Sequence, residues 1–146
     1  TTTTTTTTAP PTTTTTTAPP TTTTTTIPEP SVVSATLSNL NTWDAGYRIW
    51  SASADVTVTG DTGGRISGAW VLLYTYVYHT QNSWQGEANW YQTDSNGEID
   101  LSFGPYDNYG SSRYTRIYLQ INRVIPPGNL DWDGGQPSLV EWAPGE

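Results

Sequence analysis

The sequence predicts an all-β protein, an antiparallel β-sandwich that follows an unfolded segment. Residues 113–124 alternate apolar and polar side chains with a period of two, the pattern of a strand with one buried face. No window shows the sustained 3.6-residue period of a helix. Several short alternating segments, separated by turn residues, follow one another from residue 31 to the end of the chain. Such a succession is typical of a β-sandwich.

Residues 1–30 form a predicted linker. The first 26 residues are threonine runs separated by Ala-Pro-Pro, and residues 27–30 close the segment. Because this stretch offers almost no apolar surface to offset the entropy of ordering, we predict a disordered spacer. Threonine-rich tracts with proline also resemble O-glycosylated stalks. Residues 31–146 then form the predicted sandwich module.

The first half of the module contains three predicted strands. Residues 31–40 alternate weakly, which favours an edge strand, and residues 50–60 alternate clearly, with Trp50 on the apolar face and therefore in the core. Asp61-Thr-Gly-Gly64 is a predicted turn. A long third strand covers residues 66–80. Between the first two strands lies a predicted polar loop that contains Trp43.

The second half contains four more predicted strands. They are residues 86–93, 99–103, 113–124 and 130–142. Residues 81–85 and 104–112 are predicted loops, and Tyr106 and Tyr109 in the second loop could close over one end of a cleft. Residues 94–98 carry the Asn-Gly signature of a hairpin. We expect Trp132 and Trp142, in the last strand, to pack in the core.

Three segments resemble the Ig-like modules of secreted bacterial proteins. They are Ala54-Asp-Val-Thr-Val-Thr59, Ile66-Ser-Gly-Ala-Trp-Val-Leu72 and Thr93-Asp-Ser-Asn-Gly-Glu98. The modules usually run as A-x-V-T-V-T, P-V-S-G-A-x-V and T-D-S-x-G. The resemblance covers residues 33–124 and implies an Ig-like or jelly-roll-type sandwich in a secreted, extracellular protein. Such a scaffold hosts many functions, so it indicates the fold better than the activity.

The linker also resembles a known type of sequence, and the third strand differs from the Ig-like pattern at one place. Threonine- and proline-rich spacers are similar to the linkers of modular polysaccharide-degrading enzymes, which implies a catalytic module in the same parent chain. The departure is Leu72-Leu-Tyr-Thr-Tyr-Val-Tyr78, which replaces the small residues of the resembled modules. We expect function to reside where the sequence departs from its scaffold.

The departure predicts an aromatic surface. The small-apolar alternation of the resembled modules points Ala69, Val71, Leu73 and Val77 inward, so the intervening side chains face outward unless the register slips by one residue. Because an Ig-like sandwich makes this strand a neighbour of residues 113–124, their outer faces should adjoin. The predicted binding residues are Trp70, Tyr74, Tyr76, Tyr78, Trp84, Trp90, Gln92, Tyr114, Arg116, Tyr118, Gln120 and Asn122.

The amino-acid composition excludes several classes of ligand for this surface. The formal net charge is −8, and the chain has no lysine, which argues against nucleic acid and anionic membrane surfaces. No apolar run is long enough to span a bilayer. Aromatic rings can stack on the C–H faces of sugars while amides satisfy the hydroxyls. We therefore expect a carbohydrate-binding module for an uncharged β-glycan of the cellulose, glucan, xyloglucan or mannan type; the alternative is an Ig-like structural or protein-interaction module.

Few side chains suit catalysis or metal binding. His79 is the only histidine, there is no cysteine, and a lone histidine at a strand end is usually a surface residue. Asp131 and Asp133 could imitate a glycosidase pair, but carboxylates in a Gly/Asp-rich segment more often form a turn or a calcium site. We expect no enzyme, no cofactor and a monomer, with a structural calcium conceivable near Asp131, Asp133 or Asp107.

Overall fold

The computed structural model describes residues 28–145 and consists of two four-stranded sheets packed face to face. The predicted linker lies outside the described residues, apart from its last three positions. The strands are β1 (Val32–Gly46), β2 (Ile49–Gly60), β3 (Trp70–His79), β4 (Ser83–Gln92), β5 (Glu98–Asp107), β6 (Tyr114–Ile125), β7 (Asp131–Trp132) and β8 (Ser138–Trp142).

The strand order confirms the predicted Ig-like sandwich. One sheet has the order β5-β2-β1-β7 and the other β4-β3-β6-β8. The first, second and fifth strands therefore share a sheet, while the third and sixth pair in the other, as in an immunoglobulin arrangement. All pairings are antiparallel except that of β1 with β7. Among the described residues there is no helix that could cross a membrane.

The predicted register of β3 is confirmed by its burial. Ala69, Val71 and Leu73 are at most 1% exposed, and the alternate positions are open to solvent to various degrees. Apolar side chains from β1, β2, β5 and β6 fill the space between the sheets. Trp50 is completely buried in this core, and its indole Nε1 donates a hydrogen bond to the Tyr114 carbonyl oxygen at 2.9 Å. Trp50 therefore ties the two sheets together.

The first strand is longer than predicted. It continues to Gly46, so Trp43 lies on a strand and not in a loop. A tight turn then reverses the chain, with Tyr47 at φ 52° and Arg48 at φ 66°. The sequence did not predict this hairpin, because the segment is polar and its turn lacks the usual Asn-Gly pair. The predicted edge position of β1 is correct for most of its length, since β7 pairs only with Val32 and Val33.

Four further features of the strands were predicted wrongly. Strand β3 starts at Trp70, four residues late, because a bend at Gly68 precedes it; β4 starts at Ser83, within the predicted loop. Strand β5 runs to Asp107 through Gly104 and Pro105, residues that favoured a loop. The last predicted strand is two strands, β7 and β8, in different sheets. The intervening segment contains two glycines and a proline, which allow the chain to cross between the sheets.

The Asn-Gly turn forms, but it does not make a hairpin between paired strands. The Gly97 amide donates to the Asp94 carbonyl oxygen at 3.1 Å, and Gly97 has φ 71°. The flanking strands, β4 and β5, belong to different sheets. Backbone N–H groups of Glu98 and Asn96 donate to the Asp94 carboxylate and hold its pKa below the usual value. The turn therefore carries the chain from one sheet to the other.

Burial of Tyr106 makes stability sensitive to alkaline pH. Desolvation between the sheets, and then the Glu87 carboxylate, raise the pKa of Tyr106 to about 12. Between about pH 10 and 12 the unfolded chain therefore ionises this phenol while the folded chain does not, so the free energy of unfolding falls as pH rises. The slope for one proton is at most about 1.4 kcal/mol per pH unit, and partial exposure of the phenol reduces it.

Urea unfolding from pH 9 to pH 11.5, followed by tryptophan fluorescence, measures this slope. We expect a shallower loss of stability in Tyr106→Phe than in the wild type, because phenylalanine has no proton to lose. Equal slopes in the two proteins would show that Tyr106 is not the group responsible.

Candidate functional site

The outer face of the β4-β3-β6-β8 sheet carries most of the predicted binding residues. Strand pairing sets them in register across the four strands, for example Tyr74 opposite Gln120 and Tyr76 opposite Tyr118. We call this surface the aromatic face. It consists of Trp84, Gly86, Ala88, Trp90 and Gln92 of β4; Trp70, Leu72, Tyr74, Tyr76 and Tyr78 of β3; Arg116, Tyr118, Gln120, Asn122, Arg123 and Ile125 of β6; and Ser138, Val140 and Trp142 of β8.

Three rings form a shallow depression in the aromatic face. Tyr76, Trp84 and Tyr118 line it, and its volume is about 410 Å³. The rings of Tyr76 and Tyr118 lie 6.0 Å apart, and those of Trp84 and Tyr118 lie 6.5 Å apart. Trp84 is 42% exposed and rises at one side, whereas the tyrosines are half-buried. A ligand entering here would meet ring surface from three neighbouring strands.

A glycine on the edge strand determines how one of these rings lies. The Tyr76 ring packs directly over Gly86, where a Cβ would overlap its Cδ1 and Cε1 atoms. Gly86 pairs with Tyr76 in the β3–β4 register, and its small neighbour on the same face is Ala88. Because β4 offers no side chain here, the ring can settle against the backbone. The floor of the depression therefore depends on glycine at this position.

Arg116 lies at one end of the depression, surrounded by aromatic rings. Its guanidinium carbon is 4.7 Å from the Tyr78 ring centroid, 5.3 Å from that of Trp84 and 4.5 Å from that of Trp142. Cation–π attraction of this kind fixes a guanidinium in place. Its Nε is buried and has no hydrogen-bond partner among the described residues. The terminal guanidinium nitrogens are therefore the donors that Arg116 can offer to a ligand at this rim.

The predicted residues at the opposite end lie apart from this depression. Trp70 and Trp90 are 45% and 43% exposed, and they flank Leu72 and Gln92 in the strand register. The Gln92 amide donates to the Gly68 carbonyl oxygen at 3.2 Å, so one of its donors is already engaged.

Asn122 lies at a bulge of β6, since the register shifts between Leu72 and Leu73. This bulge also brings Arg123 opposite Leu72, on the aromatic face.

Tyr114 was predicted on this face and lies elsewhere. The register shifts between Tyr78 and His79, and this irregularity turns Tyr114 toward the core. Its ring is 4.8 Å from His79 and 5.5 Å from Tyr106, which belongs to the opposite sheet. The phenol oxygen is 3.0 Å from Gln85 Oε1, to which it donates. Tyr114 therefore closes the end of the sandwich instead of contacting a ligand on the aromatic face.

His79 is buried, contrary to the prediction of a surface histidine. It is 7% exposed, and its Nδ1 accepts hydrogen bonds from the backbone amides of Gln81 and Asn82 at 3.3 and 3.2 Å. The proton of a neutral ring is therefore on Nε2, which faces Ser112 Oγ at 3.2 Å. Its two ring nitrogens are satisfied by the β3–β4 turn and by Ser112, so its role is structural.

Trp142 and Arg123 are surface residues that sequence reasoning missed. Trp142 was expected in the core but is 49% exposed beside Arg116, whereas Trp132 packs against the core as predicted. Treating residues 130–142 as one strand placed both tryptophans on the same face, which the division into β7 and β8 prevents. Simple alternation along β6 would point Arg123 inward, and only the bulge turns it outward. No local signal in the sequence marked that bulge.

The two aromatic residues expected to close over the cleft do not reach it. Tyr106 packs on Trp50 with ring centroids 4.9 Å apart, between the sheets. Tyr109 lies against the guanidinium of Arg48, 3.6 Å from its ring centroid, near the β1–β2 turn. Strand β5 continues through the predicted loop and carries Tyr106 into the sandwich. The aromatic face is therefore open at this end.

Charge is distributed unequally between the faces of the sandwich. The outward positions of β4, β3, β6 and β8 within the described chain include Arg116 and Arg123 but no carboxylate. In the opposite sheet, Asp55 lies between Ser38 and Asp100, and Arg65 bonds Glu98 at 2.6 Å. The aromatic face thus offers rings and hydrogen-bond donors within a protein whose net charge is −8.

The aspartates considered for calcium do not belong to a cluster of acidic side chains in the described part of the chain. Within residues 28–145 no group of three or more histidine, cysteine, aspartate or glutamate side chains is arranged to hold a metal ion. The Asp133 carboxylate instead accepts the Gly135 amide at 2.8 Å, which stabilises a turn. Asp131 pairs with Val32 in β7, whereas Asp107 ends β5 opposite Ile49.

The fold and this surface together define a β-sandwich of Ig-like topology with an open aromatic face on one sheet. No protein-family model, no curated protein and no solved structure matches the chain. The function is therefore inferred from the chemistry of the aromatic face itself.

Proposed function

We propose that the chain is a noncatalytic carbohydrate-binding module that holds an uncharged β-glycan against the aromatic face. The observation that carries this proposal is the exposure of its tryptophans: Trp70, Trp84, Trp90 and Trp142 are each between 42% and 49% exposed on one side of one sheet. Monomeric proteins rarely leave so much aromatic surface open without a use for it. Half-buried tyrosines fill the area between them.

The chemistry of a β-linked sugar matches this surface. Its C–H faces are apolar and suit the rings of Tyr76, Trp84 and Tyr118, while its hydroxyls require hydrogen-bond partners. Gln120, Asn122 and Arg116 supply amide and guanidinium donors on the same face. Because these groups exchange water for sugar, we expect dissociation constants from micromolar to millimolar, about −8 to −4 kcal/mol.

In the parent protein, such a module would hold a linked enzyme near its polysaccharide. The threonine- and proline-rich segment before residue 31 supports a tether of this kind, and its resemblance to O-glycosylated stalks supports a location outside the cell. We propose that the chain acts as a monomer with a catalytic module in the same polypeptide as its functional partner. Nucleic acid and anionic membrane surfaces are not among the proposed partners, since both would repel the acidic chain.

A second candidate function is protein contact. Val140 and Ile125 also lie on the aromatic face and are 55% and 44% exposed. Aliphatic side chains suit a protein partner better than the hydroxyl-rich edge of a sugar. An Ig-like structural or adhesion module would use the same rings as anchors in a protein interface.

Affinity electrophoresis separates the two functions. Native gels that contain hydroxyethylcellulose, xyloglucan, glucomannan or xylan would be run with the wild type and with Tyr118→Ala. We expect at least one glycan to retard the wild type, and Tyr118→Ala to bind it at least tenfold more weakly, because the variant loses one wall of the depression.

The matched control is Trp43→Ala. Trp43 is also exposed, at 40%, but it lies on the opposite sheet, so its removal should leave retardation unchanged. If a folded wild type migrates freely in all four gels and is not depleted from solution by insoluble glycan, the carbohydrate proposal fails and the protein-contact module is favoured.

A further inference from the structure

The rings of the aromatic face are strongly tilted against one another. The interplanar angle is 85° between Tyr74 and Tyr76, 68° between Tyr78 and Trp84, and 70° between Trp84 and Tyr118. The smallest is 44°, between Tyr76 and Tyr118. A flat ligand surface can stack on several rings at once only if those rings share a plane. The aromatic face has no such plane in this region.

Two of the exposed tryptophans belong to a row of large side chains that crosses the strands. Trp84 is opposite Tyr78, Tyr78 is opposite Arg116, and Arg116 is opposite Trp142. The row therefore runs from the edge strand β4 over β3 and β6 to β8. With neighbouring strands about 4.8 Å apart, the outer two strand axes are separated by about 14 Å. The depression lined by Tyr76, Trp84 and Tyr118 lies along one side of this row.

No comparable track follows the edge strand. Trp84 and Trp90 are six positions apart on β4, a separation of about 20 Å, and only Gly86 and Ala88 lie between them on the same face. On β3 the adjacent Tyr74 and Tyr76 rings are nearly perpendicular, so one sugar face cannot rest on both. Across the strands, by contrast, successive side chains of the row contact one another: the Trp84 and Tyr78 rings lie 5.3 Å apart, and the Arg116 guanidinium contacts the rings of both Tyr78 and Trp142.

We propose that the site takes a single, soluble glycan chain that crosses the strands from Trp84 to Trp142, and not the flat surface of a crystalline polysaccharide. This inference rests on the proposed carbohydrate function and specifies the form of its ligand. A single chain presents faces and edges in different directions, which suits tilted rings and a concave floor. Arg116, fixed among three rings, then donates to hydroxyls where the chain leaves the depression.

Trp142 is then a ligand-contact residue. Two similar tryptophans of β4 should also differ in how much their removal weakens binding. Trp84 and Trp90 lie on the same strand and the same face, and they are 42% and 43% exposed. We expect Trp84→Ala and Trp142→Ala to weaken binding to a soluble glycan at least tenfold. Trp90→Ala should weaken it by a smaller factor than either of these, because Trp90 lies outside the crossing row.

Two measurements on the full chain test this. Dissociation constants come from affinity gels with the soluble glycans named above, and depletion from solution is measured with microcrystalline cellulose and crystalline mannan. We expect retardation in a soluble-glycan gel and no depletion by either solid. Circular dichroism of each variant confirms that it is folded.

Three results would overturn the inference in distinguishable ways. Depletion by a crystalline solid without retardation in any soluble gel would leave a carbohydrate-binding module but exclude the single-chain ligand. Loss of binding in Trp90→Ala with no loss in Trp142→Ala would place the chain along β4. If the folded wild type binds neither soluble nor crystalline glycan, the proposed function itself fails, and the inference fails with it.

Discussion

Replacing Trp50 by alanine is expected to destabilise the protein by about 3–5 kcal/mol, the usual cost of removing a large aromatic side chain from a core. Trp50 is completely buried and packs on Tyr106 at a ring distance of 4.9 Å. The substitution also removes the hydrogen bond from its indole to the Tyr114 carbonyl oxygen. Since small proteins are stable by only about 5–15 kcal/mol, a loss of this size would leave a substantial unfolded population.

Urea titration followed by circular dichroism measures the change, and two variants calibrate it. Trp50→Phe keeps much of the ring volume but loses the hydrogen bond, so we expect a cost of about 1–2 kcal/mol. Trp43→Ala removes a tryptophan that is 40% exposed on the outer surface of the β5-β2-β1-β7 sheet, and it should cost less than about 1 kcal/mol. A Trp50→Ala protein as stable as Trp43→Ala would contradict a central role of this ring in the core.

Gly86→Ala is expected to weaken glycan binding without weakening the fold. The added Cβ would overlap the Tyr76 ring and force it off the floor of the depression. We expect at least a tenfold loss of affinity, about 1.4 kcal/mol, for the glycan that retards the wild type. The free energy of unfolding should change by less than about 1 kcal/mol, because the conformational entropy saved by replacing a strand glycine offsets the packing lost when the ring moves.

A double-mutant cycle with Tyr76→Ala provides the control. Once the ring is absent, Gly86→Ala has nothing to displace, so the two substitutions should not be additive in their effect on affinity. Affinity gels give the binding constants, and urea unfolding of the same four proteins gives their stability. Additive losses would mean that Gly86 contributes to binding in some way other than through Tyr76.

Side-chain parity along each strand could be predicted from the sequence. Alternation along β2, β3 and β6 identified the buried positions, including Trp50, and it pointed Tyr74, Tyr76 and Tyr118 outward. This succeeded because the two-residue period is a property of extended backbone and needs no knowledge of distant contacts. The adjacency of β3 and β6 came from the resemblance to Ig-like modules, and the strand order confirms it.

Residues near irregular backbone could not be predicted in this way. Bulges in β6 turn Tyr114 inward and Arg123 outward, against the parity of the strand. Each bulge inserts a residue without changing the apolar pattern around it, so the sequence carries no clear sign of it. The same holds for His79, whose burial depends on turn amides and on Ser112, which is distant in the chain.

Fold class, the core face of each main strand and the aromatic character of one outer face were predictable from the order of the residues. The pairing of the edge strands was not, and it sets which rings meet: β8 joins β6 and sets Trp142 beside Arg116, and Gly86 of β4 receives the Tyr76 ring. The difference lies in the range of the interactions. Alternation is local to one strand, whereas sheet membership and ring tilt depend on contacts between residues far apart in the chain.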